Sequence, residues 1–166
     1  SNFNALKHHT DSYALKYNYE IFFNKELPLS LLNDFELKIV EYLKLDTKTI
    51  AIKGSAEVLS QLCMRGYAIA FATGSLQKSA VFKMNSAGLD MNIEVLATSK
   101  TSFSREGFIL EAIDKAKSIY NVSDFDKIVS IGDGIWDLKT AQNLKLNFIG
   151  IGLKNKELMQ ENGMEI

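Results

Sequence analysis

The chain has 166 residues, of which 46% are apolar and 23% charged, and its formal net charge is −1. This length suffices for one domain with a hydrophobic core, or for one domain with a small appendage. The near-neutral balance argues against disorder and against a nucleic-acid binder, which needs a basic excess. The sequence has no apolar run of membrane-spanning length and no signal-peptide pattern, so we expect a soluble, cytoplasmic protein without membrane partners.

The sequence contains a single cysteine, Cys63, which cannot form an intrachain disulfide. It lies in the stretch AEVLSQLC, whose apolar residues have helical spacing. The pattern therefore predicts a buried thiol in the core rather than a reactive one.

The first 50 residues are predicted to form a helical region. Residues 2–17 and 29–44 have the spacing of amphipathic helices, and Pro28 stands just before the second one. His8 and His9 fall in the first helix, where we expect a surface or packing role rather than metal ligation.

Residues 51–166 change to an alternation of helices and short apolar strands. Such alternation is typical of an α/β fold with parallel βαβ units and helices on both faces of the sheet. In such sheets ligands bind at the carboxyl ends of the strands. The predicted helices cover 55–65, 76–87, 106–120 and 137–143, with one more near the C-terminus, and the predicted strands cover 67–72, 93–97, 128–131 and 148–151.

The first strand ends in Thr73, Gly74 and Ser75, directly before a helix. Free amide groups and the positive end of the helix dipole suit an anion there, phosphate above all. The same residues are equally expected for a simple helix cap and turn. The second strand is followed by Lys100 and Arg105, which are candidates for an anion site or ordinary solvated side chains.

The third strand belongs to the stretch IVSIGDGIWDLKTA, which carries Asp133 and Asp137. Both acids are compatible with a helix cap and first turn. However, Asp133 follows the strand and a glycine directly, which places it at the edge of the sheet. Carboxylates at such an edge suit Mg²⁺, which usually takes one or two of them and shares its other positions with water and phosphate.

Together these segments resemble the haloacid dehalogenase-like (HAD) phosphohydrolases, whose fold is a Rossmann-like core with a parallel sheet plus, in many members, a small helical cap. FATGS is similar to the second family motif and IGDGIWD to the fourth, GDxxxD. The resemblance implies that Thr73 binds the transferred phosphoryl group, that Asp133 is a Mg²⁺ ligand, and that Asp137 completes or orients the metal shell. It covers residues 52–151 well, with Lys53 in place of a usual proline, and residues 1–50 more loosely as the cap.

Two family motifs depart from the pattern. The third is normally a lysine followed by proline; here Arg105 is the first choice for that role and Lys100 the second. The first motif, a DxDxT-type sequence carrying the nucleophilic aspartate, is missing. We therefore expect the nucleophile upstream of Ser1, with the first core strand absent from the chain and pieces lacking at both ends. The strands ending near Thr73 and Ile131 are then not expected to pair directly.

The resemblance implies a Mg²⁺-dependent phosphatase that acts on a small phosphorylated metabolite through an aspartyl-phosphate. One alternative is a catalytically inactive phosphate- or Mg²⁺-binding module with a regulatory role. Another is a metal-free dehalogenase of the same superfamily, against which the acidic pair in GDxxxD argues. The sequence leaves the substrate and the oligomeric state open.

Overall fold

The computed structural model of the chain describes residues 6–45, 50–89, 92–152 and 154–164. Helices alternate with short parallel strands, which confirms the predicted α/β class. The chain divides into two compact units, residues 1–121 and residues 122–166. The elements of the first unit are α1 (Asp11–Phe23), α2 (Leu29–Leu45), α3 (Ser55–Met64), β1 (Phe71–Thr73), α4 (Gln77–Ser86), β2 (Leu96–Thr98) and α5 (Arg105–Tyr120); those of the second are β3 (Val129–Gly132), α6 (Ile135–Asn143), β4 (Asn147–Gly150) and α7 (Lys156–Glu161).

Helix α1 begins later than the sequence pattern predicts. Residues 6–10 are not helical, and Thr10 has extended backbone angles and caps the helix, its hydroxyl accepting from the Tyr13 amide at 3.2 Å. The prediction of a helix from residue 2 was wrong for residues 6–10, and its first residues, 2–5, lie outside the described part of the chain. The late start leaves the two histidines in a non-helical segment before α1.

Helix α2 begins directly after Pro28, as predicted, and packs against α1 and α4. Its buried residues are Leu32 and Glu36, so the face toward α4 includes a carboxylate as well as apolar groups. With 17 residues α2 is the longest helix described, and none of the described helices is long and apolar enough to cross a membrane. Whether the boundary between cap and core falls near residue 50 stays a prediction.

Strands β1 and β2 pair in parallel, with Thr73 opposite Thr98 at their carboxyl ends. Both strands are shorter than predicted. For β2 the reason is that residues 93–95 form a 3-10 turn, in which the Asn92 side chain accepts from the Glu94 amide at 2.9 Å. The parallel register brings the two loops that follow these strands to one edge. This edge is where the sequence predicts ligand binding.

The core of the first unit lies between β2 and α5. Ala97, Phe108 and Ala112 are almost completely buried, and Ile109 packs against them. Ser104 caps the helix by accepting from the Gly107 amide at 3.0 Å. Burial of one large side chain such as Phe108 stabilises the fold by about 1.5–3 kcal/mol.

Helix α3 contradicts the prediction of a buried thiol. Cys63 is exposed, and none of the residues of α3 is buried. Val58 and Met64 on the same helix are 54% and 76% exposed. Apolar spacing predicts which face of a helix could be buried, but it does not supply an element that covers this face.

In the second unit β3 and β4 pair in parallel, with Gly132 opposite Gly150. Helix α6 packs on both strands, while Val129, Ile131 and Ile149 are 40%, 52% and 52% exposed. Thus the expectation of helices on both faces is not met for these two strands. Among the described strands, β1 pairs with β2 and β3 pairs with β4.

Candidate active site

Strands β1 and β2 end in similar hydroxyl-stabilised turns. The Thr73 hydroxyl accepts from the Ser75 amide at 3.2 Å, and the Thr98 hydroxyl accepts from the Lys100 amide at 3.3 Å. The Ser99 amide then donates to the Ser75 carbonyl at 3.1 Å and joins the two loops. Three of the predicted site residues in the first unit therefore lie on one edge of the sheet.

Gly74 lies against the segment that precedes α1. Its carbonyl accepts from the Asp11 amide at 2.9 Å. A Cβ at position 74 would stand 3.2 Å from the His9 carbonyl oxygen and 3.4 Å from the Thr10 methyl carbon, so a glycine permits this close approach. The Thr10 hydroxyl also donates to the Phe103 carbonyl at 3.0 Å. Through Thr10 the loop after β1 is thus connected to the segment that leads into α5.

Arg105 is the first residue of α5 and its Nε atom is buried. Burial lowers the pKa of His9, and the nearby guanidinium of Arg105 lowers it further. The charge of Arg105 therefore acts on the His9 imidazole. His9 was expected to have only a surface or packing role, and its place outside the helix follows from the start of α1 after Thr10.

The amide groups at the start of α4 already donate to two carboxylates of the protein. The Leu76 amide donates to Asp11 Oδ2 at 3.1 Å, and the Lys78 amide donates to Glu36 Oε1 at 2.6 Å. The sequence predicts either an anion site or a cap here, and the structure shows acidic side chains from α1 and α2 in the position of the anion. Sequence reasoning missed both acids, which lie 65 and 42 residues away in the chain.

A further cation, Lys83 on α4, belongs to this edge. Its ammonium donates to the Ser75 hydroxyl at 3.0 Å. Burial raises the pKa of Asp11, while the Leu76 amide and the Lys83 charge act in the opposite direction. The edge therefore combines partly buried acidic and basic groups that interact with each other.

Lys100 is paired with Glu36. The ammonium Nζ lies 3.5 Å from Glu36 Oε2, and the Glu36 side chain is 1% exposed whereas that of Lys100 is 36% exposed. A buried carboxylate requires such compensation, because removal of a charge from water is costly. The positive charge of Lys100 is thus partly neutralised by Glu36.

In the second unit Asp133 directly follows β3 and is exposed. Its backbone carbonyl accepts from the Asn155 side-chain amide at 2.8 Å. Gly134 caps α6, and its amide donates to Asp137 Oδ2 at 3.1 Å. Asp137 is therefore the first-turn acid of one of its two interpretations, whereas the N-cap interpretation of Asp133 was wrong, because Gly134 is the N-cap residue and Asp133 is exposed.

Gly132 allows Asp137 to lie against the end of β3. A Cβ at position 132 would stand 2.5 Å from the Cβ of Asp137 and 2.7 Å from its carboxyl carbon, which no side chain tolerates without a shift. Position 132 is thus a glycine for a steric reason, which the sequence pattern does not reveal.

Asp133 and Asp137 carry oxygen donors of the kind that Mg²⁺ takes in proteins. Within the described ranges no group of three or more His, Cys, Asp or Glu side chains forms a candidate metal cage. Mg²⁺ does not need one, since one or two carboxylates plus water and phosphate oxygens suffice. Asp133 carries an exposed carboxylate that can serve as a metal ligand, and its backbone carbonyl is hydrogen-bonded to Asn155. Asp137 is suited to orient the water ligands of such a metal ion.

The sequence contains one Asp-x-Asp, at Asp124 and Asp126, although the DxDxT-type motif as a whole is missing. Both residues are exposed, and they precede β3 instead of following a strand. No threonine stands two positions after Asp126, where the DxDxT pattern requires it. This pair is therefore at the wrong end of its strand for the nucleophile.

Comparison with known proteins identifies the family of the chain. A family model described as haloacid dehalogenase-like hydrolase matches residues 4–151. All seven predicted site residues fall within that range. Searches of curated proteins and of solved structures give no match. The chain belongs to the haloacid dehalogenase-like hydrolases.

Proposed function

We propose that the protein is a Mg²⁺-dependent phosphohydrolase that acts on a small phosphorylated metabolite. The observation that supports this most is the arrangement of the GDxxxD segment. Asp133 presents an exposed carboxylate at the end of β3, and Asp137 is held by the Gly134 amide and by contact with Gly132. Bound Mg²⁺ supplies charge stabilisation to phosphoryl oxygens.

The phosphoryl group is assigned to the edge formed by β1 and β2. Thr73 supplies a hydroxyl there, Gly74 and Ser75 supply the loop, and Arg105 supplies a planar cation suited to two phosphate oxygens at once. Lys100 is the weaker candidate for the cation, since it is paired with Glu36. Groups fixed before the substrate binds lose little energy to reorganisation when charge develops.

The reaction needs a nucleophile, which we propose is an aspartate located before Ser1 in the gene product. Its carboxylate attacks phosphorus in line, the bond from phosphorus to the substrate oxygen breaks, and that oxygen leaves as the alcohol with a proton from the second aspartate of the DxDxT-type motif. Water then hydrolyses the aspartyl-phosphate to phosphate and the free carboxylate. The α1–α2 hairpin is suited to act as the cap that excludes water during the first step. Reading the coding sequence upstream of Ser1 tests this, and an upstream region without Asp-x-Asp favours the inactive regulatory module instead.

The metal-free dehalogenase is the other alternative. Dehalogenation by a carboxylate nucleophile has no use for a second pair of acids, and the ordered Asp133–Asp137 segment therefore favours phosphoryl transfer.

A direct comparison of the two reactions tests the proposal. The purified full-length gene product, which must include the nucleophile, is assayed for phosphate release from p-nitrophenyl phosphate with Mg²⁺ and with excess chelator, and for halide release from a 2-haloacid. We expect Mg²⁺-dependent phosphate release and no halide release. Halide release that persists in the chelator, without phosphate release, would overturn the assignment.

A further inference from the structure

Glu36 is the most deeply buried acidic side chain among the described residues, and it connects three elements. Its Oε1 accepts from the Lys78 amide in the first turn of α4 at 2.6 Å. Its Oε2 stands 3.5 Å from the Lys100 ammonium, in the loop after β2. The residue itself belongs to α2, so one carboxylate joins the helical hairpin to the elements that follow both strands of the candidate phosphate edge.

The strength of this connection follows from burial. Glu36 is 1% exposed, and a charge so far from water persists only with good partners. The helix amide and dipole of α4 supply one partner and Lys100 supplies the other. Oε2 accepts no hydrogen bond in the described structure, so Lys100 is its charge partner there rather than a close hydrogen-bond donor.

The loops after β1 and β2, which Glu36 connects, contain the candidate phosphate-binding residues. The Ser99 amide donates a hydrogen bond to the Ser75 carbonyl between them, and α4 begins two residues after Ser75. A shift of α4 relative to Lys100 would change the spacing of the Thr73 and Lys100 loops. Asp11, which binds the Leu76 amide, secures α1 at the same helix end in a similar way.

We propose that Glu36 is a positioning residue of the phosphate edge, which sets the spacing of the loops after β1 and β2 through Lys78 and Lys100. It contacts no reacting atom and acts through these two partners. The kinetic part of this inference rests on the proposed phosphatase function, whereas its structural part does not.

The kinetic test is a double-mutant cycle on Mg²⁺-dependent hydrolysis of p-nitrophenyl phosphate. Glu36→Gln keeps an acceptor for the Lys78 amide but removes the charge, and Lys100→Met removes the ammonium. We expect each single variant to raise KM about threefold with kcat nearly unchanged, and the double variant to be no worse than either, because both remove the same connection. Glu41→Gln, an exposed acid of α2 paired with Lys38, is the matched control and should leave KM unchanged.

Hydrogen exchange supplies a measurement that does not depend on activity. Glu36→Ala should speed exchange of the Lys78 amide, and Glu36→Gln should restore its protection. Unchanged exchange in Glu36→Ala, a KM in Glu36→Gln equal to that of the Glu41 control, or single effects that multiply in the double variant would each overturn the inference. A wild-type protein that releases no phosphate, with exchange as expected, would instead count against the proposed function alone.

Discussion

The side chain of Asp137 fills the space next to the Gly132 backbone that a Cβ would need. The two positions are 2.5 Å apart when a Cβ is built on the glycine, well below any normal contact. The same carboxylate accepts from the Gly134 amide, so the end of β3 and the start of α6 are fixed to each other through one acid. Asp133 stands between these two glycines, and its backbone therefore depends on this contact.

Gly132→Ala should accordingly destabilise the protein. Forcing a methyl group against Asp137 costs about 1–3 kcal/mol of unfolding free energy, the usual range for overpacking. Gly134→Ala is the matched control: its Cβ would meet only the end of the Asp137 side chain at 3.3 Å, so a smaller loss is expected. Thermal or denaturant unfolding measures both, and an equal or larger loss for Gly134→Ala would contradict the steric account.

Asp137→Asn should reduce the stability of the fold less than Asp137→Ala does. Asp137→Asn keeps an oxygen for the Gly134 amide, so the fold should remain intact while Mg²⁺-dependent activity falls. Asp137→Ala also removes the helix cap and should cost a further ~1 kcal/mol of stability. Unfolding curves and phosphate release on the same samples separate the two effects. Equal stability of the Ala and Asn variants would show that the bond to Gly134 contributes nothing.

The two cation candidates should differ in phosphate affinity. Arg105→Ala should weaken binding of orthophosphate or vanadate by roughly ten- to a hundredfold, as for a lost charged hydrogen bond. Lys100→Ala should weaken it by no more than about threefold, since Lys100 is paired with Glu36 and acts through loop spacing. Arg105→Lys is the control that keeps the charge but loses the planar geometry. The opposite ranking in a titration would transfer the role to Lys100.

Asp11 should make stability depend on pH. Its pKa is raised above the ordinary 3.8 by burial, so its contribution to stability is complete below that value and is lost as pH rises through the folded-state pKa. Asn at this position is neutral and still offers an oxygen to the Leu76 amide. Asp11→Asn should therefore stabilise the protein at about pH 7, with a gain that shrinks toward about pH 4.

Urea unfolding of Asp11→Asn and wild type across this range measures the effect, and the same substitution at exposed Asp114 is the control. A gain that grows as pH falls would mean that the carboxylate is stabilised, not destabilised, by its surroundings.

The sequence allowed prediction of the parts of the fold that depend on local pattern. Helical spacing placed α5 within one residue of its observed start, and Pro28 marked the start of α2. The start of α1 was missed because the apolar pattern was extended across Thr10, although Thr10 followed by Asp11 is itself a cap signal. Cys63 was wrongly predicted as buried, since burial depends on a covering element that spacing does not reveal.

Some residues of the candidate site could also be predicted from local sequence pattern, and others could not. Thr73 and Asp133 could be identified because each follows an apolar strand, a relation that the sequence contains. Asp11 and Glu36 could not be identified from the sequence, because their hydrogen-bond partners at the start of α4 are 65 and 42 residues away in the chain. The residues around each acid give no signal of these contacts. The steric role of Gly132 is equally hidden, since it depends on the path of the Asp137 side chain.

The proposed magnesium site depends on the exposed carboxylate of Asp133. One titration tests this assignment most directly. Phosphate release from p-nitrophenyl phosphate is measured against Mg²⁺ concentration for wild type and for Asp133→Asn, with unfolding curves to show that both are folded. We expect saturable dependence on Mg²⁺ in the wild type and loss of hydrolysis at every Mg²⁺ concentration in the folded variant. Unchanged turnover and an unchanged Mg²⁺ dependence in Asp133→Asn would contradict the assignment of this residue and of the metal site built on it.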